Sequence, residues 1–345
     1  MEKITREETG YGIISGEERF LSKISQLELT DDELVEMYST MCAIRRFEIE
    51  ADKLYAMGKV HGTMHLSAGQ EAVAVGTWRA VRRDDYFLNN HRGHGHFIAR
   101  GSDINLMMAE FLGKETGYCR GRGGSMHIAD VETNNLGANG VVGGGISLAV
   151  GVGLALKLRQ DEHIVVVVFG DGAANQGILH ESLNMSAIWK LPVLFICENN
   201  HYGMSMEVRR SVARLPIAQR ADGYGIPWKY IDGNDVLAVL ETMRIASEYV
   251  RSRQGPMFVE AETYRYFGHS KSDRNLYRTK DEIESWRQKD PIVRFRRELV
   301  VAKIMTEEQA EQIDQEAQAV IDETVRFAEA SPEPEVSSVT DYVYA

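Results

Sequence analysis

The sequence predicts an α/β fold, with a parallel sheet covered by helices on both faces and helical N- and C-terminal extensions. Three observations support this class. Residues 164–169 form an apolar run without polar alternation, which is typical of a buried central strand. Apolar residues then recur at helical spacing through residues 173–190, and after Pro192 a second apolar strand follows at residues 194–197. Together these segments form one βαβ unit.

Composition and charge restrict the classes of function. A chain of 345 residues, 43% hydrophobic and 26% charged, can bury a large core. Its net charge of −12 argues against a broad surface for nucleic acid or anionic membranes, but allows a local basic pocket. Cys42, Cys119 and Cys197 form no Cys-x-x-Cys pair, which argues against a disulfide framework and a zinc ribbon. The first residues lack an apolar signal core, so we expect a cytoplasmic protein without a membrane partner.

The pattern divides the chain into three parts. Residues 1–29 are a polar lead-in, residues 30–278 are expected to form the α/β domain, and residues 279–345 a helical C-terminal extension and tail. Capping patterns beginning at Thr279 and at Thr306 predict charged helices in this last part.

A long amphipathic helix is predicted at the start of the α/β domain. Thr30 and Glu33 form a capping-box pattern, and apolar residues continue on one helical face to about Met57. Further helices are predicted after residues 69–71 and over residues 102–113, and a strand at residues 258–261.

Polar side chains follow both strands of the βαβ unit. Asp171 lies in a Gly-Asp-Gly sequence after the first strand, and Asn200 ends an Asn-Asn sequence after the second. Ligands of parallel sheets bind beyond the carboxyl ends of the strands, where the crossover helix also offers N–H groups to an anion. Carboxylate and amide oxygens suit Mg²⁺. Either fragment alone is commonly a turn or a strand end, but the pair predicts a site for Mg²⁺ and a diphosphate.

Histidine-rich loops are the second informative feature. Seven of the ten histidines are His61, His65, His91, His94, His96, His127 and His269. The close spacing of residues 91–96 suggests a zinc site, but no cysteine or carboxylate lies in the cluster to complete a ligand shell. Neutral imidazoles fit proton transfer near pH 7 better. Taken singly, His61, His94 and His96 are better explained as hydrogen-bonded polar residues.

Seven motifs follow one another along nearly the whole chain. They are HLSAGQE at 65–71, HRGHG at 91–95, GRGGSMH at 121–127, GANGVVG at 137–143, GDGAANQG at 170–177, ENNHYG at 198–203 and TYRYFGHS at 263–270. In this order and spacing they resemble the α subunit of the E1 component of 2-oxo acid and acetoin dehydrogenase complexes. The resemblance implies a thiamin-diphosphate-binding fold and an α₂β₂ heterotetramer, with thiamine diphosphate held between α and β.

The resemblance also implies roles for the residues at the strand ends. Asp171, Asn200 and the carbonyl of Tyr202 are similar to the Mg²⁺ ligands of the family. Gly172 and Ala173 would offer backbone N–H groups to the diphosphate.

Further residues of the cofactor site come from other loops. By the same resemblance, Arg92 would neutralise the diphosphate, and the main chain of Gly140 and Val142 would bind the aminopyrimidine. His65 and His269 resemble the two histidines that flank the reacting carbon, with their separate roles left open. Such groups are needed because an alkoxide that forms on carbonyl addition must be protonated or stabilised.

A β subunit is implied as a partner. In the family, the glutamate that faces the pyrimidine comes from β, so we expect this chain to be inactive alone and to act with β and a lipoyl-bearing E2 acyltransferase. Gly145, Ala149 and Gly153 form a small-residue face at four-residue spacing, which would let another subunit approach closely. The alternative is a crowded helix within one subunit.

Two features bear on the substrate. Pyruvate-type members commonly have Tyr at the position of His91 and Gln near Gly145, and residues 91–96 and 137–145 look more like acetoin dehydrogenase. Residues 264–273 look more like the pyruvate type. We expect cleavage of acetoin, with decarboxylation of pyruvate or a branched-chain 2-oxo acid as the alternative. The acyl or hydroxyalkyl unit would pass to the lipoyl group of E2.

Other classes remain as alternatives at this point. A Mg²⁺-dependent phosphotransferase would also place an Asp after a parallel strand, and a catalytically silent scaffold would lose the metal ligands. The presence of both Asp171 and Asn200 disfavours the scaffold. The loop at residues 264–280 combines His269 with basic residues and little apolar anchoring, so we expect it to be mobile until the cofactor binds.

Overall fold

The structure, a computed structural model, describes residues 16–60, 62–341 and 343. Its strands are β1 (Tyr86–Asn90), β2 (Asn135–Asn139), β3 (Val165–Gly170), β4 (Val193–Asn199), β5 (Tyr202–Gly203), β6 (Met206–Glu207), β7 (Trp228–Asp232) and β8 (Met257–Glu262). Strands β5 and β6 pair as a small antiparallel hairpin. The others form one sheet in the order β2-β1-β3-β4-β8-β7, with every neighbouring pair parallel. The predicted parallel sheet is confirmed.

The helices surround this sheet. They are α1 (Gly16–Gln26), α2 (Asp31–Ala56), α3 (Glu71–Ala80), α4 (His94–Arg100), α5 (Ile104–Phe111), α6 (Gly144–Leu158), α7 (Gly177–Ile188), α8 (Val208–Ser211), α9 (Val236–Arg251), α10 (Lys280–Arg287), α11 (Pro291–Val301) and α12 (Glu307–Ala330). The predicted caps at Thr30, Thr279 and Thr306 are confirmed, because each side chain accepts a hydrogen bond from the first turn of its helix. Within the described residues, no helix is both long and apolar enough to cross a bilayer.

The N-terminal lead-in is partly helical. Its second half forms α1, which buries Phe20 and Ile24 against the core. Residues 1–15 and His61 lie outside the described residues.

Alternating side chains of the central strands enter two separate cores. Val166 and Val168 pack in one core with α2, α3 and α9, while Val165 and Val167 pack in the other with α6 and α7. This explains why the strand reads as a continuous apolar run: both of its faces are buried. Ile321 of α12 joins the first core, so the C-terminal helices pack on the same body.

The order of the strands determines where a ligand can bind. After β1 the chain adds β2 on one side, and β3 then lies on the other side of β1. At such a switch point the connections leave in opposite directions and open a crevice beyond the carboxyl ends of the strands. Asp171 follows β3 directly and Asn200 follows β4 directly, as the βαβ unit predicts.

The small-residue face of α6 is buried within this chain, so the prediction that it offers a surface to another subunit is wrong. Gly145 and Ala149 are buried within the chain. A Cβ atom added at Gly153 would lie 2.8 Å from a side-chain carbon of Val193, so the glycine allows α6 to approach its own sheet. The alternative of a crowded helix within one subunit is correct, and α6 turns Leu148 outward instead.

Candidate active site

A cavity of about 310 Å³ lies beyond the carboxyl ends of β1, β2, β3 and β4. Of the site residues predicted from sequence, those that line it are Arg92, Val142, Asp171, Gly172, Ala173, Asn200, Tyr202 and His269. The other two lie next to it. His65 is behind the lining, against the rings of His91 and His269, and Gly140 lies against the His127 ring at the end of β2. The structure therefore brings together residues from four strand ends and two loops.

Asp171 is a buried acid at the end of β3, only 3% exposed. Burial raises the pKa of its carboxyl group to about 6, although the positive charges of Arg265, His201 and Arg92 lower it in part. An ionised carboxylate in this position is therefore short of positive charge. A divalent cation is the kind of partner that would supply it.

Asn200 presents its amide in a defined orientation. Its nitrogen donates a 2.9 Å hydrogen bond to the side-chain oxygen of Gln70, so its carbonyl oxygen faces the other way. That oxygen accepts only a long bond, of 3.4 Å, from the backbone N–H of Tyr202. Between the two residues, His201 takes a left-handed conformation with φ of 73°. The chain turns there from β4 to β5, which brings the Tyr202 backbone to the same end of the sheet.

Two glycines let the loops after β3 and β4 touch. A Cβ atom at Gly172 would lie 3.1 Å from the Cα atom of Gly203, and one at Gly203 would lie 3.0 Å from that of Gly172. The loop after β3 and the loop after β4 thus meet backbone to backbone. A side chain at either position would push them apart.

Two buried arginines bring positive charge to this region: Arg92 lines the cavity, and Arg265 lies next to the lining. Arg92 is almost fully buried and donates to the carbonyl oxygens of Leu66 and His269. Arg265 is fully buried; it donates to the Met204 carbonyl and the Tyr277 hydroxyl, while two of its nitrogens have no hydrogen-bond partner. Burial lowers the pKa of both guanidinium groups. Nearby negative charge does not fully compensate for the burial of these two guanidinium groups. This is expected of arginines that bind an anion such as a diphosphate.

Three histidines from distant segments form one cluster, here named the imidazole cluster: His65, His91 and His269. One ring nitrogen of each lies within 4.8 Å of the other two. The ring centroids of His65 and His91 are 4.4 Å apart, and those of His65 and His269 are 4.7 Å apart. The buried Nδ1 of His65 has no hydrogen-bond partner. These nitrogens are available for hydrogen bonds to a ligand.

The imidazole cluster is held neutral. Burial, and after it the charge of Arg92, lowers the pKa of His65 to about 3, of His91 to about 2 and of His269 to about 4. Arg92 also lies against the cluster, with Nη2 3.5 Å from Nδ1 of His269. This positive charge opposes a metal ion at the three nitrogens. Proton transfer or hydrogen bonding to an oxygen fits the cluster better.

A buried carboxylate supports the cluster from behind. Glu48 on α2 is fully buried and accepts hydrogen bonds from the backbone N–H and the hydroxyl of Ser67, at 3.0 and 2.7 Å. It also lies 2.9 Å from Nδ1 of His94. One carboxylate therefore fixes both the loop that carries His65 and the segment that follows His91.

His94 and His96 behave as the sequence predicts, as hydrogen-bonded polar residues. Each lies 2.9 Å from a buried carboxylate, Glu48 for His94 and Glu198 for His96. Trp78 donates to Nδ1 of His96, which leaves Nε2 to donate to Glu198. Glu198 also lines the cavity, and sequence reasoning did not single it out as an acid.

The loop at residues 264–280 is better anchored than its sequence suggests. Tyr264 is fully buried, stacks on Trp286 and donates its hydroxyl hydrogen to Glu282. Arg278 donates to two backbone carbonyls of the same loop, those of Arg265 and Phe267. The expectation of little apolar anchoring is therefore wrong for the two ends of the loop. Its mobility stays a prediction for the tip.

Sequence reasoning missed Arg265 and Glu198, which are both charged and buried at the site. Arg265 lies inside Tyr-Arg-Tyr, where an arginine between aromatic residues is the only local sign of burial. Glu198 ends an apolar strand, and an acid in such a strand is a usable signal.

The chain is similar to known proteins over most of its length. A family model described as "Dehydrogenase E1 component" matches residues 39–337. The α subunit of acetoin:2,6-dichlorophenolindophenol oxidoreductase from Bacillus subtilis (strain 168) is 44% identical, over 94% of this chain and 97% of that protein. The pyruvate dehydrogenase E1 component subunit alpha of Rhizobium meliloti (strain 1021) is 42% identical, over 90% of each chain. The mitochondrial pyruvate dehydrogenase E1 component subunit alpha of Homo sapiens, in its somatic form, is 39% identical, over 92% of this chain and 81% of that protein.

Proposed function

The chain belongs to the dehydrogenase E1 component family, and from this premise we propose that it is a thiamine-diphosphate-dependent α subunit that cleaves acetoin. It binds the cofactor through Mg²⁺, together with a β subunit in an α₂β₂ heterotetramer. The two-carbon unit passes to the lipoyl group of an E2 acyltransferase. The assembly works in the cytoplasm.

The observation that carries this proposal is the pair of oxygen ligands at neighbouring strand ends. Asp171 and Asn200 follow β3 and β4, which are paired in register, and both side chains line one cavity. The carboxylate is short of positive charge, and the amide of Asn200 is oriented by Gln70. With the carbonyl of Tyr202, these oxygens would form half of an octahedral Mg²⁺ shell. The remaining positions suit phosphate oxygens and water.

The diphosphate has matching partners in the same cavity. The backbone N–H groups of Gly172 and Ala173 lie beside Asp171, and Arg92 approaches from the loop after β1. Arg265 does not line the cavity, but it adds a second buried positive charge next to it, with two unpartnered nitrogens. The guanidinium group of Arg92 would bind phosphate oxygens directly, and the charge of Arg265 would favour the same anion from behind the lining. Gly140 and Val142 are assigned to the aminopyrimidine through their main chain.

Bound thiamine diphosphate supplies a nucleophilic carbon that adds to a carbonyl and then accepts the electrons of the broken bond. The chain itself supplies neutral imidazoles. His269 lines the cavity, and His65 contacts it from behind. Both are unprotonated near pH 7. His269 can hydrogen-bond to the substrate oxygen and exchange protons with it, and His65 is assigned to the position behind it.

A partner protein would cover exposed apolar side chains at the rim of the cavity. Val141, Val142, Met204 and Met206 are 69%, 49%, 63% and 50% exposed, although each lines the cavity. Apolar groups gathered at the mouth of a site are typical of a protein interface. We assign this face to the β subunit, which completes the cofactor site.

The choice of acetoin rests on two residues of the cavity. Identities of 44% and 42% do not separate an acetoin from a pyruvate enzyme. His91 and Gly145 both line the cavity, and a Cβ atom at Gly145 would meet its nearest neighbour only at 3.6 Å. A glycine there leaves space for the second carbon substituent of acetoin. A 2-oxo acid such as pyruvate, or a branched-chain one, is the second candidate.

The test is an assay of the assembled enzyme. The chain is produced with its β subunit, loaded with thiamine diphosphate and Mg²⁺, and given acetoin or pyruvate with an artificial electron acceptor. We expect acetoin-dependent reduction that requires the cofactor, Mg²⁺ and β. A higher kcat/KM for a 2-oxo acid would contradict the substrate, and activity of α alone would contradict the partner.

A further inference from the structure

We propose that His91 is a further catalytic residue, the base that takes the proton from the carbinol oxygen of acetoin as the carbon–carbon bond breaks. This inference rests on the proposed acetoin substrate. It assigns a separate role to His91 within the imidazole cluster, whereas the family resemblance assigns roles only to His65 and His269.

The position of His91 supports direct contact with substrate. It follows β1 directly and lines the cavity, as His269 does, while His65 lies behind both rings. The ring centroids of His91 and His269 are 5.5 Å apart. The two carbons of acetoin that carry oxygen are directly bonded, so their oxygens are close enough to meet two neighbouring rings. Another imidazole of the cluster can hydrogen-bond to the carbonyl oxygen while His91 takes the proton from the carbinol oxygen.

The two candidate substrates differ by one proton at the bond-breaking step. When pyruvate loses its carboxylate, carbon dioxide leaves with the carboxylate oxygens, and no proton has to be removed. When acetoin is cleaved, the carbinol O–H bond must break. Its electron pair becomes the second C–O bond of acetaldehyde, and its proton goes to His91. Thiamine diphosphate, when bound, would accept the C–C electron pair, and the lipoyl disulfide, which is reduced, would be its final acceptor. Acetoin cleavage therefore needs one base more than decarboxylation does.

The burial of His91 and the charges around it keep its ring neutral. Burial and Arg92, with smaller contributions from His65, His269 and Arg265, lower its pKa to about 2, so its ring carries a free electron pair at neutral pH. The same charges weaken it as a base. An anion bound beside Arg92 offsets the guanidinium and makes the ring more basic. The base therefore becomes effective when the diphosphate site is filled.

The test compares two variants of His91 in the assembled α₂β₂ enzyme. His91→Asn keeps a hydrogen-bonding group but cannot accept the proton, and His91→Phe removes both properties. We expect kcat for acetoin to fall about a hundredfold or more in both, which is the usual contribution of a general base. Pyruvate turnover should stay within the same order of magnitude. His163→Asn, at a surface histidine paired with Asp84 and Asp161, is the matched control.

A binding measurement provides a readout that does not depend on turnover. Butane-2,3-diol has the carbinol group of acetoin but no carbonyl to react, and calorimetry gives its affinity for each variant. We expect about a two- to tenfold loss in His91→Phe and little change in His91→Asn, since one hydrogen bond is removed only in the former. Affinity for thiamine diphosphate with Mg²⁺ should be unchanged in both.

The possible outcomes separate this inference from the proposed function. Equal losses with acetoin and pyruvate, or unchanged acetoin turnover, would overturn the role of His91 alone. Weakened cofactor binding in His91→Asn would also overturn it, because His91 would then act by positioning Arg92. If the unmutated enzyme processes pyruvate but no acetoin, the proposed substrate is wrong, and the role of His91 is overturned with it.

Discussion

The two sides of the cavity differ in the sign of the charge that a ligand would have to supply. On the oxygen side, formed by Asp171, Asn200 and Tyr202, burial raises the pKa of a carboxyl group, so a positive charge is missing. On the imidazole side, formed by the imidazole cluster, burial and, after it, the charge of Arg92 lower the pKa of the three rings, and a negative charge that would offset Arg92 is missing. The magnesium diphosphate that we propose as the ligand would supply both charges in one group.

The two sides are also supported in different ways. The oxygen side continues directly from two paired central strands, and its loops touch through Gly172 and Gly203. The imidazole side joins three segments that are far apart in the chain, and its support comes from the side chains of Glu48 and Arg92. Changes on the oxygen side should thus affect cofactor binding, and changes on the imidazole side should affect proton transfer, substrate choice and local stability.

The largest effect is expected on the oxygen side. Asp171→Ala removes the only charged ligand proposed for Mg²⁺, and we expect the affinity for thiamine diphosphate to fall at least about a hundredfold with the fold retained. Calorimetric titration of cofactor and Mg²⁺ into the assembled enzyme measures this. Asp322→Ala on the exposed surface of α12 is the control, and undiminished affinity in Asp171→Ala would contradict the assignment.

The next effect tests substrate choice in the space between the two sides. Gly145→Gln places a side chain at the cavity wall and should depress acetoin turnover more than pyruvate turnover, by roughly ten- to two-hundredfold in selectivity. The ratio of the two kcat/KM values measures this. Gly177→Gln, at a helix start with open space around it, is the matched control. An unchanged ratio would show that Gly145 does not face the substrate.

A smaller effect tests the support of the imidazole side. Glu48→Gln replaces an acceptor with an amide that cannot satisfy Ser67 and His94 together, and should lower the free energy of unfolding by about 1–3 kcal/mol. Thermal or denaturant unfolding of the assembled enzyme measures this. Glu36→Gln removes an exposed partner of Arg79 and should cost little. Equal stability of the two variants would contradict the supporting role of Glu48.

The smallest effect concerns the tip of the loop at residues 264–280. Without cofactor we expect trypsin to cut after the exposed Arg274. Lys271 is paired with Asp52 and Arg278 is held by backbone carbonyls, whereas the exposed Leu276 does not anchor the tip. Thiamine diphosphate with Mg²⁺ should slow this cleavage severalfold, as His269 becomes ordered against its ligand. Cleavage at the same rate with and without cofactor would count against a gating role for the loop.

The oxygen side could be predicted from the residues alone, and the imidazole side could not. β3, α7 and β4 are consecutive, so their periodicity and the polar residues at their ends are visible in one stretch of sequence. β1 and β2 are short and contain asparagine and glycine, and β7 is a half-exposed edge strand, so none of them has the apolar run that marks a buried strand. Only the resemblance to a family joined His65 with His269 before the fold was known. Their partner His91, like Arg265, became evident from contacts across the chain.

The order of the strands has a consequence for how the protein folds. β1 supplies His91 early in the chain, and β8 leads to His269 almost two hundred residues later, with β3 and β4 lying between them in the sheet. Contacts between segments so far apart in the chain are expected to form late in folding, because the long stretch of chain between them must be ordered first. We therefore expect the cofactor to bind a nearly complete sheet and to stabilise the complete native state by mass action. A chain that stops before β8 lacks His269 and Arg265, so under this proposal tight retention of the cofactor would indicate that the whole subunit has folded.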